Sequence, residues 1–564
     1  MNRRLRLGLI VAGGILGLML ISGIVIKLLV SGSMKEWFAA SISDRTGAKV
    51  TIGSADFDVL RWLILRPAVT LHDVVISNPP GFPAGNVLEA RTVVARVELF
   101  PLFARRVVVE SISVDEPHIV VANDAGGRTN VEVVLRTFLN FKAGSVAAPP
   151  KAGSNGGTSQ PPAPKGPAPP RKEANFVVND VSAGSGTLSY IGEKSPYLQD
   201  ISLRLRGFCR DESCQIQLSA KLFGGKTSNL RLEGHAGPFN SDSLPLDGAL
   251  TTTVALAEVP SDLRREKFGA ILAAPGDKAQ AVVTSTVKGD LFQSITGPAK
   301  LVLSDVLIGK NPNQLMPLSG QAPGTLTASS LVTEPQFKLV VPDATLQLGK
   351  GQWKGSADLS VQHKAISGDL SGAIRDVEVN EFLSTFTTAR DNIYGTLAMT
   401  SLTLKFAGSN GDDLANSLSG GGNLSITNGR LHIIDFLGLV KKVIFKTEPA
   451  PGGANTPFSS FTSDITIGGK KISAANITMD GPTIGMTGSG AVSFDHSIDF
   501  DVVAKIKSLG KIGPLQLPPI NASVPLSITG TLESPKVTPK IGQGVKSVAG
   551  GLVRDVESVI RRKK

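Results

Sequence analysis

Aromatic residues make up only 5% of this chain, and charged residues 19%. With 61 glycines and many small β-branched residues, that balance suits many short strands joined by turns rather than a helical enzyme. Catalytic signatures are missing as well. Six histidines are scattered as His72, His118, His235, His363, His432 and His496, with no H-E-x-x-H or other metal spacing. No G-x-S-x-G marks a nucleophile elbow. Gly225-Lys226-Thr227 imitates the end of a phosphate-binding loop, but Ala220 stands where its first glycine is required. His72 and Asp73 are neighbours on a strand and point to opposite faces, so they form no dyad. The sequence therefore implies no enzyme, cofactor or metal.

The two cysteines, Cys209 and Cys214, flank a four-residue loop between the alternating runs 201–208 and 215–222. Their spacing excludes a catalytic C-x-x-C, and positions facing across a hairpin suit a structural disulfide in an oxidising compartment; two free thiols are the alternative. The net charge of +11 suggests nucleic acid until it is located. Residues 1–6 carry +3, 143–173 carry +3 and 541–564 carry +4, which leaves a nearly neutral body. Basic ends of that kind suit anionic headgroups and require no nucleic acid.

What the sequence does have is one long apolar run. Leu7–Ile26 holds 20 uncharged residues, about 30 Å of helix, the thickness of a bilayer's hydrocarbon core. Arg3, Arg4 and Arg6 precede it, so the positive-inside bias places residues 1–6 in the cytoplasm, a membrane helix at 7–30 and the rest of the chain across the membrane. The rival reading is a cleaved signal peptide, whose apolar region would be unusually long and which lacks an A-x-A cleavage pattern.

Beyond the anchor, Ser33-x-x-Glu36 is a capping box that opens a short helix ending near Gly47. Strands follow at 49–52, 68–76, 87–99 and 106–114, and Asn130 is placed as the cap of a helix running to Phe141. Residues 143–173 are rich in Pro, Gly, Ser and Ala and form a flexible linker. From 174 to 376 the alternation repeats strand after strand, with one helix at 262–272. Near the end, Ile498, Phe500, Val502, Ala504 and Ile506 face one way, while Asp499, Asp501, Lys505 and Lys507 face the other. Such a stripe is a packed core by default. In the tail 541–564, Val545, Val548, Leu552, Val556 and Val559 form the apolar side of a basic amphipathic helix, docked on the sheet's end or lying on a membrane or partner.

Two regions carry a family resemblance. An apolar anchor, a helix ending TGAKVTIG, then LRPAVTLHDVVISNPPGFP and VVARVELFPLFARRVVVESISVDEPHIVV, spanning about 35–138, is similar to the N-terminal region of AsmA-type envelope proteins. The order of elements in 377–540 resembles the AsmA C-terminal domain: a helix at VEVNEFLSTF, the turn Leu418-Ser419-Gly420-Gly421-Gly422, a strand ending Asn428-Gly429, and ITGTLESPKVTPK. His432-Ile433-Ile434-Asp435 departs from it where relatives often carry a glycine.

The resemblance implies a mostly β protein: one N-terminal transmembrane helix, then a long twisted sheet folded into a groove with an apolar interior. Its divisions would be an N-terminal β domain at 33–142, the linker 143–173, a middle β region at 174–376, a C-terminal domain at 377–540 and the tail helix 541–564. It further implies a place in the inner membrane and periplasm of a Gram-negative bacterium, and a function in envelope biogenesis, chiefly phospholipid movement toward the outer membrane. Acyl chains would then lie along the stripe Ile498–Ile506. The alternative is a periplasmic scaffold or assembly factor that binds outer-membrane or envelope proteins and whose apolar stripe is a filled core.

Overall fold

A computed structural model of the chain describes residues 19–28, 34–98, 107–139, 176–192, 196–209, 212–222, 224–239, 242–261, 264, 276–309, 313–362, 365–387, 391–432, 456–507, 511–512, 515–516 and 522–540. The linker 143–173, the helix expected at 262–272 (apart from Arg264) and the tail 541–564 lie outside them. Of the apolar run 7–26, residues 19–26 are described and are helical. Among the described residues no helix is long and apolar enough to cross a membrane.

The protein is mostly β, as its composition implies. Among the described strands, 24 are hydrogen-bonded into one sheet, and Lys511–Ile512 pairs separately with Leu515–Gln516. The chain divides into two compact units. The first comprises Met1–Thr252, Thr284–Gly297 and Thr327–Gln336, and the second the remainder.

In the first unit, α1 (Met34–Thr46) precedes β1 (Val50–Phe57), β2 (Ala68–Ser77) and β3 (Asn86–Glu98), which pair antiparallel in sequence order. A short helix that the sequence pattern did not reveal, α2 (Val59–Leu63), joins β1 to β2, and Asp58 caps it by accepting from the Arg61 N–H. The next two strands, β4 (Val107–Asp115) and β5 (His118–Val121), both pair with β3. Between them stand Glu116, at φ 49°, and Pro117, which has no N–H to give a ladder. The following strand, β6 (Phe176–Tyr190), runs parallel to both. A parallel return needs a crossover of a dozen or more residues, and α3 (Asn130–Leu139) lies within that connection. Thereafter β7 (Leu198–Cys209), β8 (Cys214–Leu222), β9 (Leu230–Ala236) and β10 (Pro245–Ala255) continue antiparallel.

Thr129 takes the capping role expected of Asn130. Its Oγ1 accepts from the Glu132 N–H at 3.1 Å, the first half of a T-x-x-E box. Asn130 is fully buried and ties the helix to the sheet. Its Nδ2 donates to Asn78 Oδ1 at 2.7 Å and to the Val120 carbonyl at 2.8 Å, and its Oδ1 accepts from the Ala122 N–H at 2.9 Å.

Strands β11 (Gln280–Asp290), β12 (Ser294–Ile308), β13 (Met316–Ser329) and β14 (Gln336–Leu348) each have residues in both units. The second unit continues with β15 (Gly351–Gln362), β16 (Ala365–Glu378), β17 (Ile393–Gly408), β18 (Ser419–Leu431), β19 (Thr456–Gly468), β20 (Lys471–Asp480), β21 (Ile484–Ser493) and β22 (Ser497–Ile506). These form an antiparallel meander, completed beside β22 by the strands Ala522–Thr531 and Pro535–Pro539. Two helices interrupt it, α4 (Val379–Phe386) and α5 (Gly411–Ser417). Ser419-Gly420-Gly421-Gly422, expected as a turn, lies inside β18. A Cβ on Gly420 would fall 1.9 Å from the Thr403 carbonyl oxygen, so the run lets β18 approach its neighbour closely.

Candidate functional site

Antiparallel and parallel pairing alike place directly opposed residues on the same face of a sheet, so strand register converts sequence alternation into rows that cross the strands. In the first unit one such row is apolar without a break. Ala55 faces Leu71, Leu71 faces Val93, and Val93 faces Val114. Across the parallel pair Val114 faces Ala183, which faces Leu203 on β7. From there the row runs through Leu218 and Leu232 to Leu250. It crosses nine strands, roughly 38 Å at about 4.8 Å per step.

Two residues along each strand, a second row follows the first. It passes from Phe57 through Val69, Ala95, Ile112, Val181 and Leu205 to Ile216, and reaches glycines at Gly234 and Gly248. The row between them, on the other face, is mainly polar. It includes Asp56, Thr70, Ser113, Ser182, Arg204, Gln217 and Glu233. Arg204 makes a two-point ion pair with Asp180, at 2.9 and 2.8 Å, on that side.

Burial along the apolar face changes in steps. Ala55, Phe57 and Leu71 belong to a buried cluster, against which Ile26, Phe38 and Ile42 pack from the helices before β1, and Val131 and Val134 from α3. Val93 also packs against this cluster, and farther along the row Val114, Ala183, Leu203 and Leu218 are only half-buried.

The second unit has the corresponding rows in another state. One runs from Val377 through Leu397, Ile426, Phe461, Met479, Met486 and Ala504 to Val524. From Leu397 onward this row belongs, with Val379 and Leu383 of α4, to one hydrophobic core. The sequence-derived stripe lies in that core. Ile498, Val502, Ala504 and Ile506 are buried and Phe500 is half-buried, while Asp499, Asp501 and Lys505 are exposed on the reverse face. There Asp501 pairs with Lys540 at 2.5 Å. The alternation is thus as read, and in the second unit its apolar side is packed against the protein itself.

The remaining sequence candidates are dispersed. His118 Nδ1 lies 2.7 Å from Thr187 Oγ1, and His496 Nδ1 lies 2.8 Å from Glu533. Gly225-Lys226-Thr227 falls between two strands, β8 and β9. Among the described residues no cluster of three or more His, Cys, Asp or Glu could hold a metal ion. Cys214 opens β8 and is buried, and desolvation pushes its thiol above the ordinary value. The side chain of Cys209 lies outside the described residues, as do Val545, Val548, Leu552, Val556 and Val559. The residues missed by sequence reasoning are those of the cross-strand rows. Each strand showed its own alternation, but only register shows that the apolar positions align.

Searches of curated proteins and of solved structures found no match. The model of the AsmA family matches residues 1–250. The C-terminal block 377–540 lies beyond that match. Over residues 1–250, which contain the whole nine-strand apolar row, the chain is similar to the AsmA family.

Proposed function

We propose that this protein is anchored in the inner membrane by residues 7–26, extends into the periplasm and carries phospholipid between the two membranes of a Gram-negative envelope. The observation that carries this reading is the unbroken apolar row from Ala55 to Leu250, half-buried through its middle and backed by a polar face. A row of roughly 38 Å exceeds the length of one acyl chain, about half of a 30 Å hydrocarbon core. An acyl chain laid along it gains on the order of 0.8 kcal/mol per buried CH₂, while its headgroup stays in water. The reaction is partition along a surface, and no side chain acts as a catalyst.

The test is photo-crosslinking in cells at Leu203 and Leu218, with Arg204 and Gln217 as controls on the polar face. Phospholipid adducts at the two leucines alone support transport. Adducts at neither pair, or equally at both, overturn it. The packed core around Val502 and Ala504 favours a second reading, a scaffold or assembly factor for outer-membrane proteins. That reading predicts protein adducts in place of lipid at Leu203 and Leu218.

A further inference from the structure

Exposed apolar side chains are concentrated in one place. Of the eleven large ones among the described residues, five are on the helical residues 19–28 and two, Leu60 and Ile64, are on or just after α2. Leu60 is 77% exposed and Ile64 65% exposed, in a molecule whose other apolar residues are mostly covered. Clustered exposure of this kind marks an interaction surface.

The α2 turn is docked firmly against the helical residues 19–28. Trp62 Nε1 donates to the Met19 carbonyl at 2.9 Å and to Ser22 Oγ at 3.0 Å. A Cβ on Gly23 would lie 2.8 Å from Trp62 Cδ1 and 2.9 Å from Val59 Cγ1, so only glycine lets the indole lie this close. One turn further on, Lys27 pairs with Asp56 at 3.1 Å.

These contacts set a depth. Met19 and Gly23 stand seven and three residues before Ile26, where the apolar run ends, which is about 5–10 Å along the helix. That is the depth at which an interfacial apolar segment sits beneath the headgroups. Trp62 has the amphipathic ring suited to that level, and the apolar side chains are flanked by Arg61 and Arg66, half-exposed or more and paired at 3.5 Å with Asp58 and at 3.8 Å with Glu110. The Lys27–Asp56 pair lies toward the aqueous side.

We infer that the α2 turn is a second membrane contact: Leu60 and Ile64 insert into the outer interface of the phospholipid bilayer that holds residues 7–26. The inference rests on the reading of 7–26 as the anchor. Together the helix and the turn fix the sheet's first strand against the membrane surface, with the covered start of the apolar row beside it.

The test uses the full chain in phosphatidylethanolamine–phosphatidylglycerol vesicles, in a Cys209→Ser, Cys214→Ala background. An environment-sensitive fluorophore is placed singly at Leu60→Cys, Ile64→Cys, Ile21→Cys and Gln217→Cys. Quenching by lipid carrying a spin label near its headgroup is compared with quenching by aqueous iodide. At positions 60 and 64, severalfold stronger quenching by the lipid than by iodide is expected, with the reverse at 217. Iodide quenching at 60 and 64 while 21 is quenched by lipid overturns the inference and leaves the anchor standing. Iodide quenching at 21 brings down the anchor itself, and the inference with it.

Discussion

Two stretches of the same alternating β text reach different ends in this molecule. In the second unit the row from Leu397 to Val524 lies in a hydrophobic core that also takes in Val379 and Leu383 of α4. In the first unit the helix-covered cluster reaches Val93, and farther along the row Val114, Leu203 and Leu218 are half-buried among the described residues. The strands alone do not decide the outcome, since both rows are wholly apolar, the first of Leu, Val and Ala and the second of Leu, Val, Ile, Met, Phe and Ala. The difference lies in what the connections supply. After β16 the chain makes an amphipathic helix, capped by Glu378 accepting from the Glu381 N–H at 2.7 Å, whereas the turns joining β7 to β10 are short. A helix packed on an apolar face helps to make that face a core.

The comparison breaks if truncation in the two rows has the same effect. Leu526, 1% exposed beside Val502, is core, so Leu526→Ala should cost about 2–5 kcal/mol of stability. A urea titration followed by circular dichroism measures it. Leu203→Ala, at a half-buried position, should cost well under half as much. Equal losses would mean that the first unit's row is also a filled core.

A charge sharpens the contrast from the functional side. Leu218→Asp leaves the strand paired and places a carboxylate on the track, where an apolar chain would have to pass it. If Asp costs on the order of 2.5–3.5 kcal/mol in hydrocarbon, lipid adducts at Leu203 should fall about a hundredfold, with folding little changed. The same charge on the opposite face, at Ser219, should leave the adducts intact.

Much of this was legible from the residues. The strands read at 68–76, 87–99 and 106–114 match β2, β3 and β4 to within one or two residues, because their period-2 alternation is bounded by turn residues. The stripe Ile498–Ile506 has the facing that its alternation implies. What alternation could not show was the cover. Whether Val502 meets lipid or protein depends on residues distant in sequence, such as Val379 of α4, that share its core. The α2 turn escaped notice because Val59–Leu65 is too short for a helical period and reads as a strand end. The role of Asn130 is not legible in the sequence because Thr129 and Asn130 are both good caps, and only their bonds separate them.

The covered start of the first row offers a smaller test of the same contrast. Asn130→Ala leaves the Val120 carbonyl and the Ala122 N–H without this partner, and should cost about 1–3 kcal/mol. Because α3 helps cover Ala55 and Leu71, hydrogen exchange should speed up in β1 and β2 and remain unchanged in β17 to β22. Uniform acceleration would mean that the two units unfold as one.

The smallest effect expected is that of pH, and it separates the apolar rows from their surroundings. Neither apolar row contains a titratable group, so lipid adducts at Leu203 should be the same from pH 5 to pH 8. The polar turns and the reverse face do titrate. In the first unit the Arg128 N–H, more than any other donor, holds the Asp124 carboxyl below the ordinary carboxylate value, with the Gly126 N–H adding to it. In the second, the amides of Asn476 and Asn423 do the same for Asp464. A lowered carboxyl binds fewer protons folded than unfolded. Its stabilisation is therefore complete above the ordinary value of 3.8 and is lost as pH falls through the lower folded value. Protection factors of the Gly126 and Arg128 amides, corrected for the intrinsic pH dependence of exchange, should thus stay flat down to about pH 4 and fall only in more acid solution. If lipid adducts instead change between pH 5 and pH 8, charged groups outside the rows take part in holding the lipid, and partition along the apolar face is not the whole mechanism.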